Sequence, residues 1–215
     1  ALLVTGFGLR DSIVNVVDYQ FEEVTTYDLQ VYFSEAQSAG DQYKIRGQLQ
    51  GAAEDVVFYH QQSIEIEADD QTKELYLMAG NSDMQNLIDF HKDEQKLSMP
   101  GLNEVMLSVG VAEALGLDVG DLVVMRNADM KQLELTVSGI YDNHVDNYAI
   151  ISPATIEQQW GEYASMQMAF VKVKEGLDIY EVSAEIAEKP GVMNVSISED
   201  LALMVSNLME ALDLV

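Results

Sequence analysis

Along the chain the spacing of apolar positions switches several times between helical and strand-like, and each switch marks an element. Leu9, Ile13, Val16 and Val17 fall on one face of a helix whose other face carries Arg10, Asp11 and Asn15. From Thr25 to Phe33 the residues alternate and are rich in aromatic and β-branched types, which predicts a strand. Ala39-Gly40 interrupts it, and Gln42 to Leu49 reads as a short helix. Val56 to Glu67 and Leu75 to Ala79 read as two strands of a hairpin, turning near Asp69-Asp70-Gln71-Thr72. Met84, Leu87, Ile88 and Phe90 give Asp83 to His91 a short helical pattern. The polar run from Lys92 then closes on Pro100-Gly101, a loop or boundary.

The second half is more sharply punctuated. Glu104 to Ser108 is a strand, and Ser108 to Leu115 a helix stopped by Gly116. Asp118-Val119-Gly120-Asp121 turns into the strand Leu122 to Met125. Asn127-Ala128-Asp129 sends the chain back through Leu133 to Val137 and Gly139 to Tyr141. Tyr148 to Ile151 is a short strand, and Pro153 opens a helix through Trp160. Met166 to Val173, a helix from Ile179 to Ala187 stopped by Lys189-Pro190-Gly191, and Met193 to Ile197 complete a strand–helix–strand unit. Hairpins mixed with helical crossovers predict an α+β fold with mixed sheets and flanking helices. Thr25–Phe33 and Met166–Ile197 would form a sheet-and-helix layer, with the hairpin-rich middle as a second, inserted lobe.

Both ends are apolar. The chain opens Ala1-Leu2-Leu3-Val4, and near its close Leu201, Met204, Val205, Leu208, Leu212 and Val215 recur at helical spacing behind the capping run Ser198-Glu199-Asp200. Ordinary amphipathic helices packed on the core produce such a pattern singly. Two membrane helices flanking one soluble segment produce it as a pair. No run of about 18 apolar residues exists within the chain itself.

Charge removes whole classes of partner. With 37 acidic and 11 basic residues the net charge is −26, which repels phosphate backbones and anionic lipid headgroups and excludes nucleic-acid binding. There is no cysteine, hence no disulfide, thiolate nucleophile or Cys-ligated zinc. The sequence has no Gly-x-Ser-x-Gly elbow, Walker A loop or His-Glu-x-x-His helix. His60, His91 and His144 share no ligand spacing and read as surface or partly buried residues. Asp142 to Asn147 offers oxygen ligands at alternate positions like a calcium loop. However, His144 stands where Asp or Asn is needed, Asn147 replaces the glycine, and Pro153 occupies the glutamate position, so a polar hairpin loop is the better reading. No catalytic residue, metal ligand or cofactor is assigned.

Three stretches carry a family resemblance. Ala1 to Ile13 resembles the junction after the first membrane helix in FtsX-like ABC permeases. Ala112 to Asp121 resembles the helix–Gly-Asp turn of that family, also present in the MacB-like periplasmic core domain. Val137 to Tyr141 together with Tyr148 to Pro153 is similar to its later strand, loop and Ser-Pro helix start. The resemblance implies a MacB-like, two-lobe, extracytoplasmic domain without catalytic residues, set between two membrane helices. The implied layout is an N-terminal stalk helix over 1–24, a porter-like sheet-and-helix lobe over 25–98 and 162–198, an inserted β-rich lobe over 99–161, and a C-terminal stalk helix over 199–215. It also implies a cell-membrane location, a cytoplasmic ABC ATPase subunit, a permease dimer partner, contact with a peptide, lipoprotein or antimicrobial outside the cell, and mechanotransmission. A freestanding secreted binding or adhesion module is the rival reading, and an uncharacterised hydrolase a third.

Overall fold

The computed structural model describes residues 16–68 and 71–212. The expected N-terminal helix therefore lies mostly outside the described residues, as do Asp69-Asp70 of the expected turn and the last three residues. Residues 16–18 are helical and run into a π-helical turn, Tyr19–Val24, closed by the Thr25 N–H on the Gln20 carbonyl at 2.9 Å.

Four strands and two helices build one half of the molecule: β1 (Leu29–Phe33), α1 (Ala39–Leu49), the first part of β2 (Ala53–Ala68), β10 (Met168–Val173), α4 (Ile179–Ala187) and β11 (Val192–Ile197). Their order, β11-β1-β10-β2 with antiparallel neighbours, is that of a ferredoxin-like split βαβ unit. Ser38 caps α1 through a reciprocal pair with Asp41, so the Ala39-Gly40 break is a helix start. Asp178 caps α4 with its side chain alone, accepting from the Tyr180 and Glu181 N–H groups.

The other half uses the rest of β2 with β3 (Gln71–Gly80), β6 (Glu104–Ser108), α2 (Val109–Leu115), β7 (Leu122–Arg126), β8 (Gln132–Tyr141), β9 (Tyr148–Ile151) and α3 (Pro153–Trp160). Pairing runs β2-β3-β9-β6-β8-β7 and returns to β2 through Glu65↔Arg126, Ile66↔Met125 and Glu67↔Val124. These six strands thus form a closed circuit, which leaves no open edge on that side. Ile64, Ile66, Leu75, Leu77, Val105, Leu107, Leu133 and Leu135 form its core with Val111 and Leu115 of α2 and Ile156 of α3. Gly116 ends α2 in the left-handed region at φ 65°, where a side chain is strained.

Strand β2 is continuous through both halves, and its alternation is kept throughout. Val56 and Phe58 lie under α1 and α4, and Ile64 and Ile66, of the same parity, lie inside the barrel. Val57 and Tyr59, of the opposite parity, belong to a third cluster with Val24, Leu87, Ile88, Phe90, Met106, Tyr141, Ile150 and Phe170. Met106 and Ile150 pack there while their neighbours Val105, Leu107, Ala149 and Ile151 face the barrel core. That double burial explains why these strands read as unbroken apolar runs. A boundary drawn at 98/99 parts Ile64 and Leu77 from the barrel side chains they pack against.

Three expectations change. The strand begins at Leu29, not Thr25, because Asp28 turns inward to accept from the Val173 N–H at 2.7 Å and pair with Lys172 at 3.1 Å. The helical pattern over Asp83–His91 yields only a 3-10 turn, Ser82–Asn86. Past the turn at Leu87, Ile88 to Phe90 instead run beside Val24–Thr26 and bury their apolar side chains, ahead of a small hairpin of β4 (His91–Lys92) and β5 (Gln95–Lys96). Asp142–Asn147 is not a hairpin loop, since β8 and β9 both pair with β6 and never with each other.

Candidate functional site at the stem junction

The loop set aside as a poor calcium site anchors the entering chain. Gln20, 4% exposed in the π-helical turn, donates from Nε2 to Asn143 Oδ1 at 2.7 Å and accepts from the His144 N–H at 3.0 Å. Asn143, 3% exposed, spends its own amide on the carbonyls of Val145 (2.6 Å) and Asp146 (3.2 Å). One side-chain amide thereby braces a second, and the second holds the loop's curvature. Removing either leaves buried polar atoms without partners.

Beside this link, Tyr19 bonds through its hydroxyl to His91 Nε2, and its ring centroid lies 5.7 Å from that of His91 and 6.0 Å from that of His144. Two of the three histidines thus meet at one tyrosine, although 53 residues separate them (144 − 91). His60 stands apart, bonded to the Ser165 carbonyl at 2.9 Å, and burial lowers its pKa.

Asp142 fixes the small hairpin to the end of β8. Its carboxylate takes Lys92 Nζ at 2.6 Å and the Asp93 N–H at 2.7 Å, while its own N–H donates to the His91 carbonyl at 2.8 Å. Burial acts most strongly on this carboxyl and would raise its pKa. The Lys92 and Asp93 hydrogen bonds together outweigh burial and hold it below the ordinary value. Its oxygens are committed to protein donors, and the described residues contain no cluster of three or more His, Asp or Glu side chains placed to hold a metal.

The departing chain leaves at the same place. Helix α5 (Ser198–Leu212) starts where the Ser198 N–H donates to the Asp28 carbonyl at 2.9 Å, and Tyr180 of α4 donates to Asp200 at 2.8 Å. Glu199 and Asp200 sit in its first turn, favourable for the helix dipole. Val17 and Phe21 of the entering stem share cavity walls with Leu201, Ala202 and Val205 of α5, so the two stems leave the domain side by side. The seam expected along α5 divides: Leu201 and Val205 are half-buried toward the sheet, whereas Met204 (57%) and Leu208 (60%) are exposed. No described helix is long and apolar enough to cross a membrane.

Between the stems and the sheet lies a cleft of about 270 Å³ walled by Tyr27, Tyr32, Tyr76 and Tyr148, with Tyr141 and Phe170 also facing it. Neither this convergence nor the Gln20–Asn143 link was legible as a motif. Tyrosines at odd intervals read as strand formers, and Gln20 carries no signature of its own.

The fold and the sequence have known counterparts. The periplasmic region of MacB from Actinobacillus actinomycetemcomitans superposes with a TM-score of 0.52 at 11% identity, covering 89% of this chain and 98% of that one. The extracellular domain of the noncanonic ABC-type transporter YknZ from Gram-positive bacteria superposes at 0.50 with 12% identity, covering 78% of this chain and 98% of that one. At such identities the likeness carries the fold. No curated protein matches the sequence. The model of the MacB-like periplasmic core domain, however, matches residues 1–189. With stems emerging together beneath a sheet-and-barrel body, this chain belongs to the family of MacB-like periplasmic core domains, the extracytoplasmic part of MacB- and FtsX-like ABC transporter permeases.

Proposed function

We propose that the domain contacts a substrate or partner outside the membrane and is moved there by ATP-driven rearrangement of membrane helices continuous with its two stems. The observation that carries this reading is the junction itself, where adjoining stems meet a buried Gln20–Asn143 bond to the barrel loop. A displacement of one stem relative to the other has a direct route to both halves of the sheet. In this reading 1–24 and 199–215 are stalks, 25–98 with 162–198 is one lobe and 99–161 the other, coupled by the β2–β3 arm, which extends from the first lobe and completes the barrel core of the second. A cytoplasmic ABC ATPase and a second permease copy are the partners it requires, and no residue of the domain performs bond chemistry.

The domain itself has no cysteine, so the test uses a permease and ATPase whose remaining cysteines, if any, are replaced by serine. In the complete permease with its ATPase, in vesicles, Phe21→Cys and Val205→Cys are joined by a short bis-maleimide. Cross-linking yield should differ between the nucleotide-free and the ATP–vanadate states. Equal yields in the two states would remove the stem as a moving part.

A further inference from the structure

The cleft beneath the stems has an unusual wall, and it is built from both halves of the molecule. Tyr27 stacks on Phe170 at 4.0 Å between centroids, and Phe170 on fully buried Tyr59 at 4.2 Å. Opposite, Tyr76 of β3 and Tyr148 of β9 lie 5.9 Å apart, tilted by 36°. Among the described residues the hydroxyls of Tyr27, Tyr32, Tyr76 and Tyr141 find no hydrogen-bond partner, although all four side chains face the cleft. Gln61, on the same wall, has a side-chain oxygen with no donor. Among the described residues these oxygens are left as free acceptors, beside ring faces of Tyr76 and Tyr148 that open on the cleft.

The charge around them has one sign. No lysine or arginine lines the cleft, and Asp146, exposed at the rim, lies 3.4 Å from the Tyr148 hydroxyl. Burial, then the neighbouring Tyr27 hydroxyl and Asp146, hold Tyr148 well above the ordinary tyrosine value; of these the Asp146 carboxylate is what sets a cation apart from an anion. The chain as a whole carries −26, which concentrates cations at its surface. Electron-rich ring faces, unmet oxygen acceptors and a carboxylate rim together suit an ammonium or guanidinium group, and they suit an anion badly.

We infer that the tyrosine cleft between the stems and the sheet is a binding site for an organic cation, an ammonium or guanidinium group. This rests on the reading that the domain engages something outside the membrane, and gives that partner a chemistry. Because the cleft is walled by both stems, an occupant touches the parts proposed to move.

The 215-residue chain, labelled with ¹³C at the tyrosine ring carbons, is titrated with blocked Gly-Arg-Gly, Gly-Lys-Gly and Gly-citrulline-Gly peptides and with tetramethylammonium. Tyr43 (80% exposed) and Tyr163 (83% exposed) lie away from the cleft and report non-specific attraction. The expected result is that Tyr27, Tyr32, Tyr76 and Tyr148 shift together with a basic ligand while Tyr43 and Tyr163 stay still, and that citrulline, the neutral isostere of arginine, gives no shift. Tyr76→Leu should weaken binding roughly fivefold, Asp146→Asn roughly threefold, and Tyr76→Phe by less than about twofold, because the ring face rather than the hydroxyl supplies most of the attraction. Tyr76 is exposed and Asn tolerates the positive φ of Asp146, so these variants keep the fold. Response to the peptides alone assigns the cation to a peptide side chain, and response to tetramethylammonium as well assigns it to a free ammonium group. Equal response to citrulline, or shifts shared with Tyr43 and Tyr163 and abolished by raising salt from about 0.15 M to about 0.5 M, would overturn the inference. If no cation binds while the stem cross-linking still depends on nucleotide, the cleft assignment alone is lost.

Discussion

The barrel core and the stem junction lie on opposite faces of the same strands and are filled by different chemistry. Inside the barrel, Ile64, Ile66, Leu75, Leu77, Leu133 and Leu135 meet as branched aliphatics with no polar atom among them. On the far side, Gln61 of β2, Tyr76 of β3 and Tyr148 of β9, of opposite parity to the barrel-facing residues of their strands, lie around an open cleft. A sealed aliphatic core gains from every contact and tolerates little change in shape. A junction held by a few hydrogen bonds and stacked rings has fewer contacts to lose and can occupy a second arrangement at smaller cost. One face therefore reads as scaffold and the other as the part able to respond.

Three substitutions test that contrast, the largest effect first. Leu77→Ala opens a void in the barrel and should cost about 2–5 kcal/mol in urea unfolding. A loss below about 1 kcal/mol would mean the core is looser than its burial indicates. Gln20→Leu strands Asn143 Oδ1 and the His144 N–H, and should cost about 1–3 kcal/mol. Amide exchange should quicken at His144 while Leu135, inside the barrel, keeps its protection. If both amides quicken equally, the junction is not a separable unit and the contrast fails.

The smallest effect is pH-dependent. Asp142 titrates below its unfolded value, so its stabilisation is complete above about pH 4 and is lost as pH falls through the lower folded value. Lys92 is well exposed, which limits the pair to under about 1 kcal/mol. Lys92→Met should therefore be slightly less stable than the native chain at neutral pH, and the difference should close on acidification below about pH 4. A difference that persists at low pH would assign the effect to packing instead.

Elements with strong local punctuation were legible. The helix that Pro153 opens and that runs through Trp160, the helix Ile179–Ala187, and the short strands at Glu104–Ser108 and Tyr148–Ile151 all stand at their expected bounds. Elements whose spacing competed with burial were not. Met84, Leu87, Ile88 and Phe90 are spaced for a helix, yet their side chains are wanted in a cluster that only an extended chain reaches. Glu65 and Glu67 carry no spacing signal beyond the strand they lie in. Their backbones close the barrel on Arg126 and Val124, a register that sequence spacing does not encode. The Gln20–Asn143 bond joins residues 123 apart, and the tyrosine cleft gathers rings from five separate stretches of chain.

By itself the sequence determined the strand and helix periods, the α+β class, the strongly acidic net charge, and the apolar character of both ends. These follow from side chains acting on their near neighbours or on solvent. Tertiary structure alone decided that β7 returns to β2, that the two stems share one side of the sheet, and that Asp142–Asn147 serves as an anchor rather than a hairpin. Each of those depends on segments far apart in sequence, brought together because strands must satisfy their edges and apolar faces must be covered.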